Sequence, residues 1–154
     1  MTPEHDAATT DGGNPPKIVV GIDGSEASLA ALDWAAGQAA LTSSPLEILA
    51  TWDWPMTYGW AVPLPQEYDP QESVQKTLDD AADGVRARYP DIEVTTRALQ
   101  GHPAPVLVEA SKGAKLLVVG SRGHGEFVGM LLGSVGEHCA AHAHCPVLVH
   151  RTFD

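Results

Sequence analysis

Lys17-Ile-Val-Val-Gly-Ile-Asp23-Gly-Ser25 is the stretch on which the fold turns. Apolar residues run from Ile18 to Ile22 without alternation and stop at a polar turn, as in a strand buried on both faces. Directly behind it, residues 25–41 place Leu29, Leu32 and Ala36 at helical spacing, with Ser25 or Gly24 available as a cap and Glu26 in the first turn. A buried strand feeding a helix is the repeating unit of a parallel sheet.

The unit recurs along the chain. Leu46 to Thr51 reads as a second strand, and residues 71–89, with Val74, Leu78, Ala81 and Val85, as a helix stopped by Pro90. Ile92 to Leu99 gives a third strand, and Pro103 opens a helix to about Lys112. Lys115 to Gly120 is a fourth strand, Ser134 to about Ala143 a helix, and Pro146 to His150 a fifth strand. The expectation is an α/β fold: a five-stranded, mostly parallel, Rossmann-like sheet with helices on both faces. Residues 17–154 are expected to form one domain, behind a polar, aperiodic tail at 1–16. Residues 54–70 hold Trp54, Tyr58, Trp60 and four prolines (Pro55, Pro63, Pro65, Pro70) and read as a long irregular connection, either a lid or a plain surface loop.

Nine basic residues against twenty acidic ones give a formal charge of -11 in 154 residues. That field repels nucleic-acid phosphates and anionic membrane surfaces, so neither is expected as a partner. It leaves room for a small phosphate site, where local backbone dipoles dominate. Two cysteines, Cys139 and Cys145, are too few for a disulfide framework and read as packed, reduced thiols. No apolar stretch follows Met1 and no segment approaches a membrane span, so the cytoplasm is the expected location.

The chemistry concentrates in Gly120-Ser-Arg-Gly123-His-Gly-Glu-Phe-Val-Gly-Met-Leu-Leu-Gly133-Ser134-Val135. This segment leaves a buried strand and ends in the first turn of a helix. Gly120 and Gly123 let backbone approach a ligand closely. Gly133, Ser134 and Val135 put amide groups and the positive end of a helix dipole at the same place, an arrangement suited to a phosphate chain. The alternative is a tight strand-to-helix loop that binds nothing. The segment lacks the Gly-Lys-Ser/Thr of a P-loop, and the first strand lacks the dinucleotide fingerprint. Ligands of such sheets sit at the carboxyl ends of the strands, which directs attention to Asp23, to the segment after Thr51 and to Gly120.

Gly120-x2-Gly123-x9-Gly133-Ser134 resembles the nucleotide-binding signature of ATP-binding universal stress proteins. The opening Ile-Val-Val-Gly-Ile-Asp23-Gly-Ser, the Leu-Leu-Val-Val-Gly-Ser-Arg-Gly123 strand and the closing Cys145-Pro-Val-Leu-Val-His-Arg151 are similar to the same family, so the resemblance covers about residues 17 to 151. It implies the adenine-nucleotide alpha hydrolase-like variant of the fold, with ATP, accompanied by Mg2+, as the ligand. Gly120, Gly123, Gly133 and Ser134 would then hold the phosphates and Asp23 would accept from the ribose. Backbone near Ile22 and Trp52 would flank the adenine, with Val119 and Val135 lining the pocket. It also implies a homodimer through the last strand, Val147, Leu148 and Val149, and a regulatory or sensory role in stress response.

Gly136 departs from the family, many of whose members have Ser or Thr there; the lost hydroxyl is worth about 0.5–1.5 kcal/mol. Trp52 is bulkier than the small aliphatic residue often found at its position; it either stacks beside the adenine or packs in the sheet. Arg122 either pairs with a phosphate or lies solvated, and His124 stands in the same loop. His138 and His142 are one helical turn apart, but no His-Glu-x-x-His motif and no third ligand are evident, so no metal site is expected. No activated nucleophile stands out, so no catalytic residue is assigned, and ATP hydrolysis, if any, is expected to be slow. Two rival readings remain open from the sequence: an interaction protein of the same fold that binds no nucleotide, and a binder that prefers cAMP.

Overall fold

A computed structural model describes residues 15–53, 69–121 and 133–151. The expected tail, apart from Pro15 and Pro16, and most of the 54–70 connection lie outside these residues. Five strands, β1 (Ile18–Gly21), β2 (Leu46–Trp52), β3 (Val94–Gln100), β4 (Leu116–Gly120) and β5 (Val147–His150), alternate with four helices among the described residues. These are α1 (Glu26–Thr42), α2 (Pro70–Arg88), α3 (Pro103–Ala110) and α4 (Ser134–His142). All strand pairings are parallel, in the order β3-β2-β1-β4-β5. The expected fold class is the one observed.

Alternate residues of the central strands feed two cores. Ile18, Val20, Ile22, Ile48 and Val118 face α1 and α2, where Ala31, Leu32, Ala35, Ala36, Leu78 and Val85 pack against them. Val19, Leu49, Leu117 and Val119 face the other way, toward Leu107 of α3 and Cys139 of α4. This two-sided burial explains why the strands read as unbroken apolar runs. Alanine dominates the inner face of α1, so the helix axis can lie close to the sheet. Leu29, expected in the buried stripe, is 40% exposed: the buried face follows Ser28, Ala31, Leu32, Ala35, Ala36 and Ala39, about 100° away.

Helix ends follow local chemistry. The side chain of Ser25 caps α1, accepting from the Ser28 N–H at 3.2 Å. Pro70, assigned to the connection on sequence, instead begins α2; Asp69 caps it, accepting from the Gln71 and Glu72 N–H groups at 3.0 and 3.2 Å. Its missing N–H is no loss in the first turn of a helix. The chain runs β1, β2, β3 in one direction and returns to the far side of β1 for β4, so β1 and β4 flank the point where strand order reverses.

Candidate functional site

A cavity of about 270 Å³ opens at that reversal, between the carboxyl ends of β1, β2 and β4 and the first turn of α4. Its apolar wall includes Ile22, Leu49, Leu107, Val119 and Val135; its polar groups include Asp23, Ser28, Thr51 and Ser121. An apolar enclosure with a few converging polar groups is the usual form of a small-molecule site.

The Asp23 turn is built by its own residues. One carboxylate oxygen of Asp23 accepts from the Ser25 N–H at 2.9 Å, and its N–H donates to Ser28 Oγ at 3.2 Å. Ser28 Oγ in turn donates to the Ser25 carbonyl at 3.0 Å. Gly24 takes φ +85°, a left-handed conformation that favours glycine and lets the chain turn from β1 into α1. The site thus carries a carboxylate at the strand end with its backbone fixed.

Gly120 lies directly against the first turn of α1. A Cβ there would lie 3.1 Å from the Ala27 carbonyl oxygen, which is backbone and cannot swing away. Ser121 follows, buried, its N–H donating to the His150 carbonyl at 2.9 Å. The Ser121 carbonyl accepts from the Gly133 N–H at 2.6 Å. This bond clasps the two ends of the glycine-rich segment together. Gly133 is the N-cap of α4, and the first intrahelical bond runs from the Glu137 N–H to its carbonyl at 2.9 Å. Because its own N–H is committed to Ser121, the anion-binding capacity of this helix end falls to the next residues of the first turn, of which Val135 and Gly136 line the cavity.

Of the residues singled out on sequence, Ile22, Asp23, Val119, Gly120, Gly133 and Val135 all line this cavity. Ser134 opens α4 with an exposed side chain and is not part of the cavity wall. Trp52 ends β2, pairs with Gln100 and accepts from the Gly101 N–H at 2.9 Å; Thr51, one residue earlier, forms the wall in its place. Arg122 and Gly123, with His124, lie outside the described residues. Sequence reasoning did not assign Ser28, Leu107 or Ser121 to the pocket. Ser121 was signalled by its place between a strand end and the loop. Leu107 reaches the cavity from a helix across the sheet, a long-range packing result with no local signature.

Cys139, on the inner face of α4, is fully buried, and loss of hydration pushes its thiol up to about 11, so it is a neutral packing group. Burial also raises Cys145, which is half-buried and free. Among the described residues no helix is long and apolar enough to cross a membrane.

A model of the Universal stress protein family matches residues 15–151. Universal stress protein Rv2623 of Mycobacterium tuberculosis is 36% identical over 145 residues, covering 87% of this chain and 44% of that protein. A universal stress protein of Mycolicibacterium smegmatis is 38% identical over 135 residues, covering 87% of this chain and 45% of the other. The chain therefore spans less than half the length of these relatives. Among solved structures, a universal stress protein in complex with cAMP superposes with a TM-score of 0.64 at 31% identity, over 87% of this chain and 94% of that one. Strand order, the placement of the cavity and sequence identity over nearly the whole described region converge: this chain belongs to the universal stress protein family.

Proposed function

We propose that the chain binds an adenine nucleotide, ATP accompanied by Mg2+, at the carboxyl ends of β1 and β4, and acts as a nucleotide-dependent regulator rather than an efficient enzyme. One observation carries this reading: a single cavity joins an apolar wall to a helix N-terminus, the two surfaces that a base and a phosphate chain require. Ile22, Val119 and Leu107 exclude water from the base. The Asp23 carboxylate stands where a ribose hydroxyl can donate to it. The phosphates are assigned to the first turn of α4 beyond the Gly133 N–H, Ser134 included, with Gly120 and Gly133 leaving room for them; Gly123 and Arg122, outside the described residues, are assigned to the phosphates on the family resemblance. Trp52 borders the adenine end through its neighbour Thr51. No group of three His, Cys, Asp or Glu side chains among the described residues is arranged to hold a metal, which fits Mg2+ entering on the phosphates. Bound there, the ion would supply counter-charge to the phosphate oxygens.

The complex of a 31%-identical relative with cAMP favours a second reading, a cyclic nucleotide in the same cavity. Isothermal titration of the purified chain with ATP–Mg2+, followed by competition with cAMP, ranks the two. One ATP per chain, lost in Gly123→Val while the circular dichroism is unchanged, is the expected result. No heat with either nucleotide, together with none released from the purified protein on denaturation, would leave an interaction protein of this fold.

A further inference from the structure

We propose that α4 carries a surface site for a borderline divalent transition metal ion such as Zn2+ or Ni2+, formed by the imidazoles of His138 and His142. The two residues are one helical turn apart, and their ring centroids lie 4.6 Å apart with the planes tilted by 46°. Both residues are exposed to solvent. Cys139, between them in sequence, points into the core and is fully buried, which leaves the outer face of the helix as an all-imidazole donor set. Imidazole is a preferred donor for Zn2+, Ni2+ and Cu2+ and a poor one for Mg2+ or Ca2+, so the site selects a different ion from the one that accompanies a nucleotide. No third His, Cys, Asp or Glu among the described residues joins the pair, so water completes the coordination. One helix fixes the spacing of the two donors, and the second nitrogen binds intramolecularly once the first has bound.

The site is independent of the nucleotide reading, and its test reads the metal alone. Zn2+ is titrated calorimetrically into the full chain at pH 7.5, without nucleotide. The expected result is one ion per chain, with affinity falling roughly a hundredfold in His138→Ala and in His142→Ala, the low side of the gain from making a second contact intramolecular. The exposed His144→Ala serves as control and is expected to bind as the unaltered chain does. Far-UV circular dichroism verifies that the variants keep their helices. The proposal is overturned if the unaltered chain takes up no ion, if either single variant binds as tightly as it does, or if His144→Ala loses as much.

Discussion

Gly120 leaves little room for a side chain. The Ala27 carbonyl oxygen would lie 3.1 Å from any Cβ placed there, and the adjoining carbonyl carbon 3.2 Å. Gly120→Ala therefore requires the backbone at the start of α1 to give by a few tenths of an ångström, and it is expected to cost about 1–3 kcal/mol in urea unfolding, the range for overpacking a tight contact. Gly21 is overlaid more closely still, with a Leu107 methyl carbon 2.8 Å from the hypothetical Cβ, but that obstacle is the end of a flexible side chain. Asp23 tests the ligand side. Its carboxylate holds the Ser25 N–H and stands at the cavity mouth, so Asp23→Ala is expected to weaken ATP several-fold while leaving inorganic phosphate nearly unaffected. Equal losses for both ligands in titration calorimetry would remove its assignment to the ribose. These residues were legible beforehand to different degrees. Asp23 and Gly120 announced themselves as the ends of apolar runs, whereas Ser28 and Leu107 reach the cavity through packing that no local pattern encodes.

At the scale of elements, the strands were the most readable parts because both of their faces are buried and the whole run must be apolar. Helix faces were less readable. The residues of α1 are apolar nearly all round, so periodicity could not decide that Ser28 lies inside and Leu29 outside. The start of α2 was missed by a residue because Pro70 reads equally well as the end of a proline-rich connection. A buried tie between elements was not legible at all. Ser111, fully buried at the end of α3, donates to the Val108 carbonyl at 2.6 Å and accepts from the His144 N–H at 2.8 Å, fastening the α4–β5 turn to α3. Ser111→Ala removes the acceptor of that part-buried N–H, at an expected cost of about 0.5–1.5 kcal/mol. Equilibrium denaturation would show it as a lowered midpoint with an unchanged slope.

For the whole molecule, the sheet ends in two different edges, β3 and β5. The carbonyls of Pro146 and His150 accept from β4, so by the two-residue period Leu148 also faces β4, and the N–H groups of Val147 and Val149 point outward. This is the edge at which the family resemblance implies a homodimer. Val149→Pro removes one outward donor without touching the β4 ladder, a substitution that edge strands tolerate. Sedimentation is expected to show a dimer for the unaltered chain and a monomer for this variant, with the thermal midpoint little changed. A dimer in both would place the contact elsewhere. The bond from the Gly133 N–H to the Ser121 carbonyl has a consequence of another kind. It couples the end of β4 to the N-cap of α4 through one main-chain contact between two residues that both line the cavity, so a distortion at Ser121 or at Gly133 is passed directly to the opposite wall.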